Sequence, residues 1–386
     1  MNKMQELIKA YADRKTQENY RAIVSEIQTA EVLWSAFSPV TKGHFVDYVQ
    51  GVPCAFIFSD KVFCENFCRH MKKSKLTVGV AECKKESRLA MLSDYHRSGI
   101  EGILIDNGQT HILVEMKDVI NTPDFSDLPE KDRPVLNPGL VGSANRFFQC
   151  MENKTVTPDM ELNLLTDTFR AKYLVPADDE PKNGQITVPA LERNDGTKVV
   201  AFFTDIDELR KFEQSKQFKI VVGGFDQIES FCKGGQTVVI NPFGFNFIVT
   251  DKTCEAVRNA AKVVPQNDAE RAVIFNPDGV PGELLDRISR LLDEYDEVTA
   301  GYIRGLRKGG KSELMIVVEC GDDPEKAKEI TDELSEKSKE FTKKQPMFIS
   351  TAYQMGKLAA NGAKPFFQRI FIDASLPPEN VDMDEE

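Results

Sequence analysis

The chain has 386 residues, enough for two or three hydrophobic cores, with 41% hydrophobic and 28% charged residues. Its formal net charge of −12 argues against non-specific binding to nucleic acid or anionic lipid. No segment approaches the roughly 18 apolar residues of a membrane helix, nothing at the N-terminus reads as a secretion signal, and eight irregularly spaced cysteines fit scattered core thiols better than a disulfide framework. The expected location is therefore the cytoplasm.

In chain order, Met1–Tyr11 and Tyr20–Gln28 read as helices, the second carrying Ala22, Ile23 and Ile27, and Val32–Phe37 as a strand. An apolar run at 54–58 then leads into Ser59-Asp60, where the aspartate can accept bonds from the free N–H groups of a helix ending near Phe67. The runs 102–106 and 111–114 flank Asn107-Gly108 and read as a hairpin. Residues 117–143 hold four prolines and few periodic apolar positions, as a linker would.

After it the grammar repeats. Thr157-Pro158 opens a helix with Leu162, Leu165 and Phe169 on one face, and Tyr173–Val175 follows as a strand. The run 199–203 leads into Thr204-Asp205, with Glu208 at capping-box spacing. CAFIFSDKVFCENF at 54–67 lies over VVAFFTDIDELRKF at 199–212 at an offset of 145, LTVGV at 76–80 resembles IVVGG at 220–224, and 102–106 faces 236–240. Colinearity over about 60 residues points to an internal duplication. A junction near 265–270 leads to a third region: strand Ala272–Phe275, a helix opened by Pro281, strands Val298–Ile303 and Leu314–Glu319, a helix opened by Asp323-Pro324, and strand Met347–Ser350. That order is ferredoxin-like. Asp382–Glu386 is an acidic tail.

Chemical motifs are sparse. Gly305 to Ser312 satisfies the phosphate-loop string, but the loop's chemistry needs a helix after the lysine, and Glu313–Glu319 reads as a strand; a hairpin tip explains the glycines. Cys64 and Cys68 share a helix face near His70, with Cys83 beyond, but the repeat sets Cys64 opposite Leu209, an apolar packing position. They read as core thiols, with reactivity left open. His96, Asp94 and Cys83 could be assembled into a nucleophile–base series, though nothing local demands it. Glycines at 223–224 and 234–235 bracket a short helix, Gln227–Cys232. Phe243, Phe245 and Phe247 alternate after a turn and would form a binding face if left uncovered.

VVAFFTDIDELRKF and GGQTVVINPFG at 234–244 resemble the N-terminal module of the enhanced-serine-sensitivity (SseB) family, and Pro281–Leu285, Val298–Tyr302 and Pro365–Arg369 resemble its C-terminal module. The first copy is a weaker version, with Asp106-Asn107 where the second has Asn241-Pro242. The resemblance implies a bacterial cytoplasmic protein without an agreed reaction, so no catalytic, cofactor-binding or metal residue carries over and no cofactor is expected. Asn241, Pro242, Phe243, Phe245, Pro365, Phe366, Phe367 and Arg369 stand as hallmark or interaction positions.

The expected architecture is α+β: a divergent SseB-N-like module at 1–120, a linker at 121–145, an SseB-N-like module at 146–264, a ferredoxin-like module at 265–375 and an acidic tail at 376–386. The leading functional expectation is a non-enzymatic protein acting through a protein partner or self-association, with no membrane and no nucleic acid. It is motivated by duplication without a duplicated polar cluster. The alternative is a small-molecule sensor or enzyme linked to amino-acid (serine) metabolism.

Overall fold

The computed structural model describes residues 2–369 except 126, 179–186, 194–195, 213–216, 264–271, 278, 309–310 and 343. The expected junction at 265–270 and the acidic tail lie outside the described residues. The chain divides into two compact units, Met1–Gln266 and Asn267–Glu386, and the secondary structure is α+β throughout.

The first half of unit one runs α1 (Lys3–Asp13), α2 (Gln17–Thr29), β1 (Val32–Ser38), β2 (Gly43–His44), β3 (Val46–Val49), β4 (Val52–Phe58), α3 (Lys61–Lys73), β5 (Gly79–Lys84), α4 (Arg88–Arg97), β6 (Gly102–Ile105), β7 (Ile112–Glu115) and α5 (Met116–Val119). The second half runs α6 (Pro138–Met151), α7 (Pro158–Arg170), β8 (Tyr173–Ala177), β9 (Ala190–Glu192), β10 (Lys198–Phe202), α8 (Ile206–Arg210), β11 (Lys219–Gly223), α9 (Phe225–Lys233), β12 (Thr237–Ile240), β13 (Phe247–Val249) and α10 (Asp251–Val263).

Both halves have one strand plan. In the first, β5 and β4 flank β1 antiparallel, β4 runs parallel to β6, and β6 turns back into β7. In the second, β11 pairs with β8 antiparallel, a bridge from Leu174 to Phe203 joins β8 to the end of β10, β10 runs parallel to β12, and β12 turns back into β13. The parallel pairs need the crossovers that contain α3, α4 and α8, α9. Equating the Trp34–Phe58 pair with the Leu174–Phe203 bridge sets Glu82 in the place of Val222, since these face Trp34 and Leu174. The strand equivalence therefore differs by four residues from the sequence overlay of 76–80 on 220–224. Short apolar runs fix direction, but only pairing fixes register.

Each sheet has a helix-covered face. Leu33, Ala55, Ile57, Ile103 and Ile105 pack against Ile8, Ile23, Ile27 and Leu92 from α1, α2 and α4. Val175, Val200, Phe202, Val238 and Ile240 pack against Leu140, Leu164, Ile228 and Val257 from α6, α7, α9 and α10. Burying each of these valine, leucine, isoleucine and phenylalanine side chains is worth about 1.5–3 kcal/mol relative to exposure. The helix α6 occupies the end of the expected linker: Pro138 starts it, and Leu140, Val141 and Ala144 are buried at helical spacing.

In unit two, β14 (Ala272–Phe275), α11 (Gly282–Asp293), β15 (Ala300–Lys308), β16 (Lys311–Glu319), α12 (Pro324–Ser338), β17 (Met347–Ser350), α13 (Gln354–Ala360) and β18 (Phe367–Gln368) build one sheet in the order β14-β15-β16-β17. The expected element order is present, but the ferredoxin-like arrangement is not. That fold inserts the first strand between the third and fourth, whereas β14 lies at the edge of β15, antiparallel to it. A long-range fit accompanies this placement: the Phe275 ring lies over its partner Gly305, where an added Cβ would come within 2.2 Å of it, so the close approach of β14 to β15 requires glycine there. β15 and β16 pair antiparallel, and Lys311 of the phosphate-loop string opens β16, so a strand and not a helix follows its lysine.

Candidate functional site

The two halves of unit one carry the same polar arrangement where β4 and β10 end and α3 and α8 begin. In the first, Asp106 follows β6 with φ of 54° and is buried. Its carboxylate accepts from the Ser59 backbone N–H at 2.7 Å, the Ser59 hydroxyl at 2.6 Å and the Gln5 side-chain amide from α1. Asn2, the cap of α1, donates to the Ser59 hydroxyl at 2.8 Å. In the second, Asn241 follows β12 with φ of 48°, accepts from the Thr204 N–H at 3.0 Å and donates to the Thr204 hydroxyl at 2.8 Å. Asn137, the cap of α6, donates to the Thr204 carbonyl at 2.6 Å. Asp and Asn are the non-glycine residues that best tolerate a left-handed backbone, and their short side chains reach back to a neighbouring strand end. The polar cluster is thus present in both halves, contrary to the expectation of a repeat without one. Its members are ordinary Ser, Thr, Asp and Asn, which composition does not single out.

The caps that follow are treated differently. Among the described residues Asp60 accepts only from Val62 N–H at 2.7 Å, near solvent. Asp205 accepts from Asp207 N–H at 2.9 Å, Glu208 N–H at 3.0 Å and the Thr204 hydroxyl at 2.8 Å, and its buried carboxylate also takes Arg97 from the end of α4. Arg97 further pairs with Asp94 and lies 3.4 Å from Asp207. His44 Nε2 lies 2.6 Å from Asp94 Oδ2 and packs edge-on against Tyr95. Burial favours the neutral form of Asp94, but the His44 contact and the Arg97 charge outweigh it and hold the carboxyl well below its usual range. Burial likewise works against charge on Arg97, and Asp94 and Asp205 more than compensate. Glu208 is pushed up, chiefly by burial: Lys211 pairs with one oxygen at 2.5 Å, and the other is buried against Gly244 with no hydrogen-bond partner among the described residues. Asp94's histidine is thus His44, fifty residues away, and not the neighbouring His96.

The close approach behind this junction has a steric requirement. Gly99, at φ of 74°, ends α4 against the start of α6, and a Cβ there would sit 2.3 Å from the Pro138 carbonyl oxygen.

The hallmark positions divide between units. Asn241 belongs to the polar arrangement just described. Pro242 is half-buried, Phe243 is 38% exposed with its ring stacked on Phe212, and Phe245 is buried against Phe148 in the main core. Phe243 and Phe245 precede β13 and leave in different directions, so the Phe243–Phe245–Phe247 alternation forms no common face. In unit two, Phe366 N–H donates to Gly301 carbonyl at 2.9 Å, and Phe366 and Phe367 pack on the core. Pro365 is exposed. Arg369 donates to the carbonyls of Asp293, Tyr295 and Val298 at 3.0, 3.0 and 3.1 Å, tying the last strand to the end of α11. That unit also carries an open cleft of about 600 Å³ lined by Tyr302, Glu319, Gln354, Lys357 and Asn361 among others.

Cys64 and Cys83 are buried, and Cys64 is pushed up by its thiol neighbour Cys68 and by burial. Among the described residues no group of three or more His, Cys, Asp or Glu is placed to hold a metal ion, and no helix is long and apolar enough to cross a membrane.

No curated protein sequence matches the chain. Among solved structures, Tic22 from Plasmodium falciparum is similar over 53% of this chain and 84% of that one, at 10% identity and a TM-score of 0.16, a likeness that says nothing about function. The SseB protein N-terminal domain matches residues 156–253, from the start of α7 to α10, and the SseB protein C-terminal domain matches 267–369. Together these matches cover just over half of the chain and take in the Thr204–Asn241 arrangement and the Arg369 anchor: the chain belongs to the SseB family.

Proposed function

We propose that the protein is a non-enzymatic association protein of the cytoplasm, working by binding a protein partner or its own copies, with neither nucleic acid nor membrane as a target. Its first unit holds two modules derived by internal duplication, supported by their common strand plan and by the matched Ser59–Asp106 and Thr204–Asn241 arrangements. In this reading the first module spans 1–120 and the second begins at Asn137, the counterpart of Asn2, and ends near 264. The third module spans 265–375.

The observation that carries the association reading is an uncovered apolar strip on the second module. Val222 is 57% exposed and Ile220 39%, on the sheet face that also carries Leu174; Ile206 and Phe243 are exposed as well. Exposed apolar side chains grouped on one module favour a protein contact. A photo-crosslinking residue at position 222, introduced into the full chain in cells, should give adducts with protein, while one at Glu82 should not. Absence of adducts from both position 222 and position 243 would refute the reading.

The cleft in unit two favours the second reading, a small-molecule sensor or an enzyme tied to amino-acid metabolism: Glu319 and Lys357 bring opposite charges to one opening. Calorimetric titration of the whole protein with serine and other amino acids tests it, and heat lost on Glu319→Gln would favour it over association.

A further inference from the structure

We infer that the free edge of β11 pairs antiparallel with β11 of a second copy of this chain. The inference rests on the association reading and names its partner.

On one edge β11 is bonded to β8, from Lys219 opposite Ala177 to Gly223 opposite Tyr173; among the described residues no strand lies on its other edge. Val221 pairs with Val175 and faces the main core, whereas Ile220 and Val222 point to the opposite, open face. Natural sheets blunt such edges with charge, a bulge or a covering element. The equivalent strand β5 has two of these devices. Glu82 stands in the place of Val222, and the thirteen-residue helix α3 lays Phe63, Phe67 and Met71 over the face that holds Val78 and Val80. On the second module α8 stops after five residues and contributes Leu209, with Phe212 just beyond, to a smaller cluster.

Two-fold symmetry fixes the register in which a second copy fits this edge. In a two-fold antiparallel pair, residues set opposite each other must share a face of the joined sheet, so only registers centred on a residue are allowed. Centring on Val221 sets Ile220 of each copy opposite Val222 of the other, and Lys219 opposite Gly223. The two exposed apolar side chains then cover each other, and no like charges stand directly opposed. Each copy carries a net charge of −12, so the copies repel at long range and added salt favours the pair. A five-residue strand buries less than a standard interface, which makes the dimer weak and concentration-dependent.

Sedimentation of the full chain between about 1 and 200 μM should show a monomer–dimer equilibrium, strengthened by salt. Val222→Lys should weaken it by about tenfold or more, and Glu82→Lys should leave it unchanged. Mixing Ile220→Cys copies with Val222→Cys copies should yield a peptide joined through positions 220 and 222, which either protein alone should not give. A wild-type chain that stays monomeric, or a dimer indifferent to Val222→Lys, would overturn the inference. If the wild type is monomeric while position 222 or 243 crosslinks to a different protein in cells, self-pairing fails and association stands; if the wild type is monomeric and neither position gives an adduct, both fail.

Discussion

The two halves of unit one begin with the same scaffold and finish it differently. In the first, Asp60 is a half-exposed cap, α3 runs thirteen residues across the sheet, and the edge strand bears a glutamate. In the second, the equivalent cap Asp205 is sealed and bound by an arginine from the first half, α8 is short, and the edge strand bears valine. The second half therefore uses its strand ends to hold the first half, and leaves its outer face apolar. One polar frame supports two uses because the hydrogen bonds that define it are internal, while helix length and edge composition vary without touching them.

The sharpest way to break this comparison is to cut the arginine. Arg97→Ala leaves the Asp205 carboxylate buried without its counter-charge and should cost about 3–5 kcal/mol in urea unfolding of the whole protein. Asp60→Ala, the matching loss on the first half, should cost about 1 kcal/mol; equal losses would refute the distinction. Phe245→Ala should cost about 3–5 kcal/mol, because its ring fills the main core, while Phe243→Ala should stay within about 1 kcal/mol. Equal effects of these two would mean that Phe243 is covered.

The shared frame is tested by its hinge residues. Asp106→Ala strips acceptors from Ser59 and Gln5 and should cost about 2–4 kcal/mol, with Asp106→Asn, the second half's choice, costing less. A full loss on Asp106→Asn would show that the two halves are not interchangeable at this point.

The smallest effects are in pH dependence, and two carboxylates of one junction should move oppositely. Asp94 is held below its usual range, so its stabilisation is present above the unfolded carboxylate value and is lost as pH falls through the folded value. Glu208 is raised, so its ionisation costs stability, and that cost is absent below the unfolded value. Asp94→Asn should thus lose stability at pH 7, with the loss shrinking below about pH 4, whereas Glu208→Gln should gain at pH 7, with the gain fading over the same acid range. Thermal unfolding from pH 3 to 8 distinguishes them; curves of the same sign would contradict the assignment.

Local signals in the sequence identified what local physics decides. Thr157 caps α7 before Pro158, Asp205 caps α8, and the apolar runs at 54–58 and 199–203 are buried strands. What it hid was long-range or disguised. The helix α6 lies behind prolines that read as linker, although Pro138 sits at a helix start and Leu140, Val141 and Ala144 recur at helical spacing. The edge place of β14 in unit two brings an aromatic ring over Gly305, a contact between residues thirty apart. His44 and Asp94 are brought together by β2 and α4, and no spacing rule joins positions fifty residues apart.

The first of those hidden elements has a consequence for how the chain can be divided. From α6, Gln149 accepts from the backbone N–H of Val46 at 3.1 Å and donates to its carbonyl at 3.0 Å, so a side chain completes what a neighbouring strand would otherwise supply to β3. At its other end the same helix contributes Asn137 to the second half. A gene split in the proline-rich stretch before Asn137 would therefore produce an N-terminal fragment with all of its strands but without the side chain that completes β3, and the two pieces would be expected to reassemble when mixed.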